Sequence, residues 1–136
     1  MRRAASLAAA VAVLTTACAA GASQGTPAPD RTITLDVRHS RFSPAELEVE
    51  PGTTVRFVVR NADPIAHELI VGDQGVQDRH ERGTEPHHGD VPGEVSVAAG
   101  ATATTTYTFS RPGRALFGCH LPGHWDYGMR GLVTVR

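Results

Sequence analysis

A short stretch near the carboxyl end of the chain holds three residue types that ligate metals. Cys119, His124 and Met129 stand in the sequence FGCHLPGHWDYGM, with four residues between each and the next. A loop that turns back on itself can direct all three side chains at one point. Two imidazoles and one thiolate in a trigonal arrangement, with a long axial thioether, hold copper for electron transfer. The stretch therefore predicts a copper centre that takes a second imidazole from elsewhere in the chain.

His67, in the sequence PIAHELIVGD, is the candidate for that second imidazole. Copper that alternates between two oxidation states needs ligands that suit both, and soft sulfur combined with imidazole meets this need. The thiol must lose its proton to bind, so a metal would keep Cys119 from behaving as a free thiol. We predict one copper ion, with the ligands His67, Cys119, His124 and Met129. The alternative is a buried thiol, hydrogen-bonded imidazoles and a core methionine with no shared role.

Three further histidines, His80, His87 and His88, lie in a polar segment, residues 72–93. A connection longer than about 15 residues without structure of its own is usually functional or disordered. The segment predicts either a solvated loop or a second, weaker metal site, with one turn of helix at most, over residues 78–82.

From residue 31 onward, short stretches rich in β-branched residues alternate with turn residues. Period-two alternation over four to eight residues is typical of β-strands. We predict about eight strands, at residues 32–37, 47–49, 53–59, 68–71, 94–97, 102–109, 115–118 and 131–135. Short strands without a sustained helical period indicate an all-β fold, an antiparallel β-sandwich.

The start of the chain has the pattern of a secretory signal, in which Arg2 and Arg3 precede an uncharged, Ala-rich run. Cys18, in LTTAC, resembles the lipid-modified cysteine of bacterial lipoproteins, and its acyl chains would anchor the protein to the outer face of a membrane. Ordinary cleavage a few residues later is the alternative. We expect a signal peptide at residues 1–18, a flexible linker at 19–30 and one exported domain at 31–136.

The cysteine count argues against a disulfide, and the charge balance argues against a nucleic-acid-binding protein. The chain has two cysteines, and cleavage or lipidation of Cys18 leaves Cys119 as the single thiol of the domain, so we expect no disulfide. Without Arg2 and Arg3 the chain holds 11 arginines against 14 acidic residues. It has no basic patch for nucleic acid.

The stretch CHLPGHWDYGM, together with HELIVGD upstream, resembles the cupredoxins, small type 1 copper proteins that include plastocyanin, azurin and the auracyanin-like and sulfocyanin-like proteins. The resemblance covers residues 31–136. It implies a Greek-key β-sandwich, with the first histidine ligand after an early strand and the other three ligands between the last two strands. One departure is Glu68, which follows His67 where plastocyanin and azurin have an asparagine that ties the two ligand loops together.

His120 directly follows Cys119. In multicopper oxidases, histidines on both sides of the cysteine bind a second copper centre. Gly118 occupies the other side here, and the chain has no H-x-H pair, so we expect His120 to be structural or exposed.

The resemblance implies a carrier of one electron at a time between larger redox proteins. We expect a monomer with one copper and with redox proteins as its partners. A protein that buffers or delivers copper outside the cytoplasm is the alternative. An enzyme would need an open coordination position for its substrate, and the predicted ligands fill the site, so we do not expect an enzyme.

Overall fold

The structure, a computed structural model, describes residues 28–83 and 91–136. This part of the chain forms nine strands and one short helix: β1 (Arg31–Val37), β2 (Phe42–Ser43), β3 (Glu46–Val49), β4 (Thr53–Asn61), β5 (His67–Gly72), α1 (Gln74–Glu81), β6 (Glu94–Val97), β7 (Thr102–Phe109), β8 (Gly113–Gly118) and β9 (Arg130–Val135). The predicted all-β sandwich is confirmed. The predicted signal peptide with Cys18, most of the predicted linker, and the two histidines His87 and His88 lie outside the described residues.

The strands form two sheets, with the orders β2-β1-β4-β7 and β3-β9-β8-β5-β6. Most neighbouring pairs are antiparallel, but β1 pairs with β4, and β3 with β9, in parallel. Both sheets of the predicted sandwich are therefore mixed, since each contains one parallel pair among its antiparallel pairs. Parallel neighbours need a long crossover connection, and here the chain supplies it by passing through the opposite sheet between the paired strands.

Alternating side chains of both sheets form one core between the layers. On β4, Val55, Phe57 and Val59 are completely buried, while the residues between them are more exposed. Phe117 of β8 and Val133 of β9 are completely buried in the same cluster. Truncation of a fully buried phenylalanine such as Phe57 to alanine costs roughly 3–5 kcal/mol, so this core fixes the strands whose ends carry the predicted ligands.

Helix α1 connects β5 with the segment that leads to β6. The carboxylate of Asp73 caps it by accepting a hydrogen bond from the backbone N–H of Val76 at 3.0 Å. The sequence predicted at most one turn here, because the buried side chains of the helix are Gln77 and His80 rather than apolar residues. Among the described residues, no helix is both long and apolar enough to cross a membrane.

Candidate metal centre

Three of the four predicted ligands meet at one end of the sandwich. His67 is the first residue of β5, Cys119 follows β8, and His124 lies in the loop between β8 and β9. The Nδ1 atoms of the two histidines are 3.3 Å apart, and the Cys119 Sγ is 3.2 Å from the His124 Nδ1. Atoms bound to one metal at about 2.0–2.3 Å in a trigonal plane lie roughly 3.5 Å from one another. The donor set and its spacing therefore fit a copper ion.

The site is almost closed to solvent. His67 is 1% exposed and Cys119 is completely buried, whereas His124 is only half-buried. Burial raises the pKa of the Cys119 thiol to about 11, although the backbone N–H groups of Leu121 and Glu68, which donate to its sulfur, act in the opposite direction. Burial, together with the neighbouring His67, lowers the pKa of His124. Both effects disfavour charge on the metal-free ligands.

Asp63 fixes the orientation of the His67 ring. Its Oδ2 lies 2.9 Å from the His67 Nε2, so the ring donates Nε2–H to the carboxylate and directs the lone pair of Nδ1 at the other ligands. The backbone N–H groups of His39 and Ser40 also donate to this carboxylate, at 2.7 and 2.8 Å. Burial opposes the ionised form, but the hydrogen bonds from Ser40, His39 and His67 outweigh it and lower the pKa of Asp63. A carboxylate partner of this kind sets the tautomer and raises the basicity of a metal-ligating histidine.

The loop that carries Asp63 is itself held by a side chain. Asn61, buried at the end of β4, donates through Nδ2 to the carbonyls of Ile65 at 2.7 Å and Ala98 at 3.0 Å, and its Oδ1 accepts the backbone N–H of Asp63. Sequence reasoning missed Asp63 as a site residue, although its position four residues before His67 was a usable signal.

Glu68 connects the two segments that carry ligands. Its Oε1 accepts the backbone N–H of His120 at 2.7 Å, next to Cys119. The carboxylate therefore ties the segment that carries His67 to the segment that carries Cys119. Glu68 is buried, so the contact lies away from bulk water and is correspondingly strong.

Met129 ends the ligand loop. Its side chain is completely buried in the core cluster that also contains Cys119. Backbone hydrogen bonds join the Cys119 N–H to the Met129 carbonyl at 3.1 Å, and the Met129 N–H to the His124 carbonyl at 2.9 Å. Met129 thus stays a predicted ligand whose backbone is linked directly to two of the others.

The aromatic residues of the loop differ in position. Trp125 stacks on His120, with ring centroids 4.6 Å apart and planes 18° apart. The guanidinium carbon of Arg130 lies over the Trp125 ring, 5.2 Å from its centroid. Tyr127 is 72% exposed. Close approach of Trp125 requires Gly118, where a Cβ would lie 2.3 Å from the Trp125 Cζ3.

His80 and His120 stand apart from this centre. The His80 ring, on helix α1, and the His120 ring have centroids 5.9 Å apart. Glu94 lies beside the His80 ring and Glu81 beside the His120 ring. His120 contacts the side chains of Glu81 and Gln77 through its ring nitrogens, and its structural role stays a prediction.

Comparison with known proteins places the domain among copper proteins. The family model described as copper binding proteins of the plastocyanin/azurin family matches residues 31–136. The copper-resistant cuproprotein CopI of Rubrivivax gelatinosus is 40% identical over 100 residues, which cover 71% of this chain and 60% of that protein. CopI of Pseudomonas aeruginosa is 29% identical, over 78% of this chain and 76% of that protein. The chain thus spans only 60% of the length of the Rubrivivax relative.

Solved structures resemble the fold. Auracyanin B has a TM-score of 0.67 at 21% identity, over 82% of this chain and 93% of that one. The auracyanin of Roseiflexus castenholzii also has a TM-score of 0.67 at 21% identity, over 80% and 99%. At this level of identity the likeness shows the fold.

Proposed function

The chain belongs to the plastocyanin/azurin family of copper-binding proteins, the cupredoxins, and we propose that it is an exported carrier of one electron at a time. The observation that carries the proposal is the convergence of the His67, Cys119 and His124 ligand atoms, all within 4.8 Å of one another. When bound, copper supplies a site that gains and loses a single electron. The signal-like start of the chain supports a location outside the cytoplasm, with Cys18 as the proposed lipid anchor.

Burial supports a carrier rather than an enzyme. Cys119 and Met129 are completely buried and His67 nearly so, which leaves the half-buried His124 as the ligand nearest to solvent. Electrons can leave through the imidazole of His124 to a protein docked on this end of the sandwich. A substrate would need an open coordination position, and the buried ligands leave little room for one. We therefore propose redox proteins as partners of a monomer without catalytic activity.

Copper buffering or delivery is the second candidate. Two relatives carry the name copper-resistant cuproprotein. That name fits a protein that buffers or delivers copper as well as one that carries electrons. Both candidates need the same bound copper, so they differ in whether the metal or only the electron leaves the protein.

A copper titration tests the shared premise. Cu(II) added to the purified protein should produce an intense thiolate-to-copper band. The band should saturate at one equivalent of copper and bleach reversibly on reduction. The variant Cys119→Ser should lack the band because the sulfur that gives rise to it is gone. Persistence of the band in Cys119→Ser would contradict the ligand assignment.

A second experiment separates the two candidates. The Cu(I) protein is mixed either with ferricyanide, as an electron acceptor, or with a Cu(I) chelator, as a metal acceptor. A carrier should regain its band rapidly with ferricyanide and keep its copper against the chelator. Rapid loss of copper to the chelator, with slow electron exchange, would favour buffering or delivery.

A further inference from the structure

Three arginines line a groove on the outer face of the four-stranded sheet. The groove has a volume of about 690 Å³, and Arg38, Arg41 and Arg60 are among its lining residues. All three side chains are exposed. Asp36 supplies the one carboxylate among the lining residues, so three positive charges stand against one negative charge. We call this feature the arginine groove.

Strand pairing brings the residues of the arginine groove together. Asp36 of β1 lies opposite Arg60 of β4, and Arg60 lies opposite Thr102 of β7, so these side chains share one face of the sheet. Arg38 and Arg41 belong to the turn between β1 and β2, which the Arg38 N–H closes by donating to the Arg41 carbonyl at 3.1 Å. Because the arginines are separated along the chain, the sequence does not reveal this positive surface.

The three guanidinium groups have no carboxylate partner within the part of the chain that the structure describes. Arg41 donates through Nη1 to the carbonyl of Ser40 at 2.9 Å, and this contact leaves its charge uncompensated. By contrast, Arg136 at the opposite end of the sandwich pairs with Glu48 at 2.6 Å. The planar guanidinium group is well shaped to donate to a carboxylate, so the groove presents three donors for carboxylates that come from another molecule.

The arginine groove borders the end of the sandwich that carries the candidate copper centre. Arg38 and Arg41 flank the two residues whose backbone N–H groups donate to the Asp63 carboxylate at 2.7 and 2.8 Å. The guanidinium carbon of Arg41 lies 3.9 Å from the position that a Cβ at Gly128 would take, directly before Met129 in the ligand loop. A molecule bound in the groove therefore lies beside that loop.

The charge of the remaining surface selects the kind of partner. Without Arg2 and Arg3 the chain holds 11 arginines against 14 acidic residues, so most of its surface repels a long polyanion such as nucleic acid. A short carboxylate-rich segment of another protein meets the groove alone. Charge complementarity of this kind steers encounter and fixes orientation more than it adds affinity, which suits a partner that binds briefly.

We propose that the arginine groove docks a carboxylate-rich segment of a partner protein and thereby orients that partner on the copper end of the sandwich. Arg38, Arg41 and Arg60 donate charge-assisted hydrogen bonds to its carboxylates. The proposal deepens the proposed function and rests on it, because the partner is the redox protein with which the electron is exchanged.

A short oligoglutamate peptide is the probe for docking. It is titrated at low ionic strength into the copper-loaded, reduced protein, and binding is followed by the backbone amide signals in nuclear magnetic resonance. The signals of Arg38, Arg41 and Arg60 should shift. Added salt should weaken the binding, since salt screens exposed charges. An oligolysine peptide of the same length should leave these signals unchanged.

Two double variants with the same change of charge locate the binding. Arg38→Gln with Arg60→Gln removes two charges from the groove and leaves Arg41 in place beside the ligand loop. We expect it to keep the parent's thiolate band and unfolding midpoint and to bind the peptide roughly fivefold more weakly or worse. Arg111→Gln with Arg114→Gln is the control, because both residues are exposed where β7 ends and β8 begins, at the opposite end of the sandwich. It should bind as the parent does.

Electron exchange relates the groove to the copper centre. Ferricyanide, an anion, should oxidise the Cu(I) form of the Arg38→Gln, Arg60→Gln protein more slowly than it oxidises the parent, because the charges that attract it are reduced. A cationic cobalt(III) complex should not be slowed by the same change. The Arg111→Gln, Arg114→Gln protein should react with ferricyanide at close to the parent's rate.

Peptide-induced shifts confined to residues outside the groove would overturn the proposal, as would equal weakening in the two double variants. An unchanged ferricyanide rate in the groove variant would also overturn it, and so would tighter binding of a single-stranded DNA oligonucleotide than of the peptide. Each of these results leaves the thiolate band, and with it the proposed function, intact. A protein that binds the peptide in the groove but lacks a reversible band would instead contradict the electron carrier and leave the docking surface standing.

Discussion

The contact between Asp63 and His67 places a negative charge close to the copper centre. The carboxylate stabilises Cu(II) more than Cu(I), because the oxidised ion carries one more positive charge. At a separation of about 7 Å and an effective dielectric constant of about 20, one unit of charge contributes roughly 2 kcal/mol, or about 100 mV for a one-electron couple. We expect Asp63→Asn to raise the reduction potential by an amount of this order, as measured by a spectroelectrochemical titration of the visible band.

Asp126→Asn is the matched control for this change. Asp126 lies in the ligand loop but is exposed, and water screens an exposed charge. Its replacement should shift the potential much less than that of Asp63. Equal shifts in the two variants, or an unchanged potential in Asp63→Asn, would contradict a specific role for the buried carboxylate.

Copper binding should release a proton from Cys119 over an unusually wide pH range. The pKa of about 11 keeps the metal-free thiol protonated at pH 9, where an ordinary thiol is half ionised, and the lowered pKa of His124 leaves that ring neutral. The thiolate is the form that binds. Cys119 should therefore release close to one proton per copper at pH 9, and the apparent affinity should rise about tenfold per pH unit up to the thiol pKa.

Calorimetry in two buffers with different ionisation enthalpies measures this proton count. Release of about half a proton from the thiol at pH 9 would show that Cys119 titrates as an ordinary cysteine. Cys119→Ser gives the background from all other groups, since it lacks the titrating thiol.

At the scale of single residues, order and spacing predict a set of ligands, but they do not predict the contacts that support those ligands. Cys119 and His124 share one loop, and the structure places His67 beside them. Asp63 contacts the His67 ring, and Glu68 accepts the backbone N–H of His120. Both contacts form only when the chain is folded. A sequence pattern does not show which carboxylate will be buried against which donor.

At the scale of the elements, the packing of Trp125 on the end of β8 depends on the absence of a side chain at Gly118. A Cβ there would lie 2.3 and 2.5 Å from two atoms of the indole ring. We expect Gly118→Ala to destabilise the domain by about 1–3 kcal/mol, because overpacking forces a shift of neighbouring groups. Denaturant unfolding measures the loss, and fluorescence reports the displaced indole directly, since Trp125 is the one tryptophan of the chain.

Gly75→Ala is the comparison for that variant. Gly75 lies in α1, and a Cβ there would approach only flexible side chains, the nearest atom being an Asp73 oxygen at 3.3 Å. Alanine favours a helix over glycine by roughly 0.5–1 kcal/mol, so this variant should keep the parent's stability or gain slightly. A Gly118→Ala protein with unchanged fluorescence and stability would show that the indole has room to move.

The sequence predicts a strand where the alternation of buried and exposed residues lies within that strand itself. The eight predicted strands all occur, with ends that differ by at most two residues, because period-two alternation reflects which face of each strand is buried. The two-residue β2 is too short to leave a pattern. Helix α1 was underestimated because its inward face is polar, and the parallel pairs arise from chain crossings between sheets that no single stretch encodes.

At the scale of the whole molecule, the predicted ligands come from two distant parts of the chain. His67 begins β5, and the other three residues lie between β8 and β9, more than 50 positions later. The β5 and β8 strands are hydrogen-bonded neighbours, and Glu68 already joins the two ligand segments. A metal at this end therefore closes a long loop within a framework that the sheets have positioned beforehand.

Copper should accordingly stabilise the fold by mass action. A ligand that binds only the folded state adds about 1.4 kcal/mol for each tenfold excess of its free concentration over its dissociation constant. We expect the midpoint of denaturant unfolding, followed by circular dichroism, to rise with free copper in the parent protein. In Cys119→Ser the rise should be much smaller, because the soft ligand is missing while both histidines remain. A rise of the same size in both proteins would show that the stabilising copper does not depend on the Cys119 thiolate, which would contradict the ligand assignment.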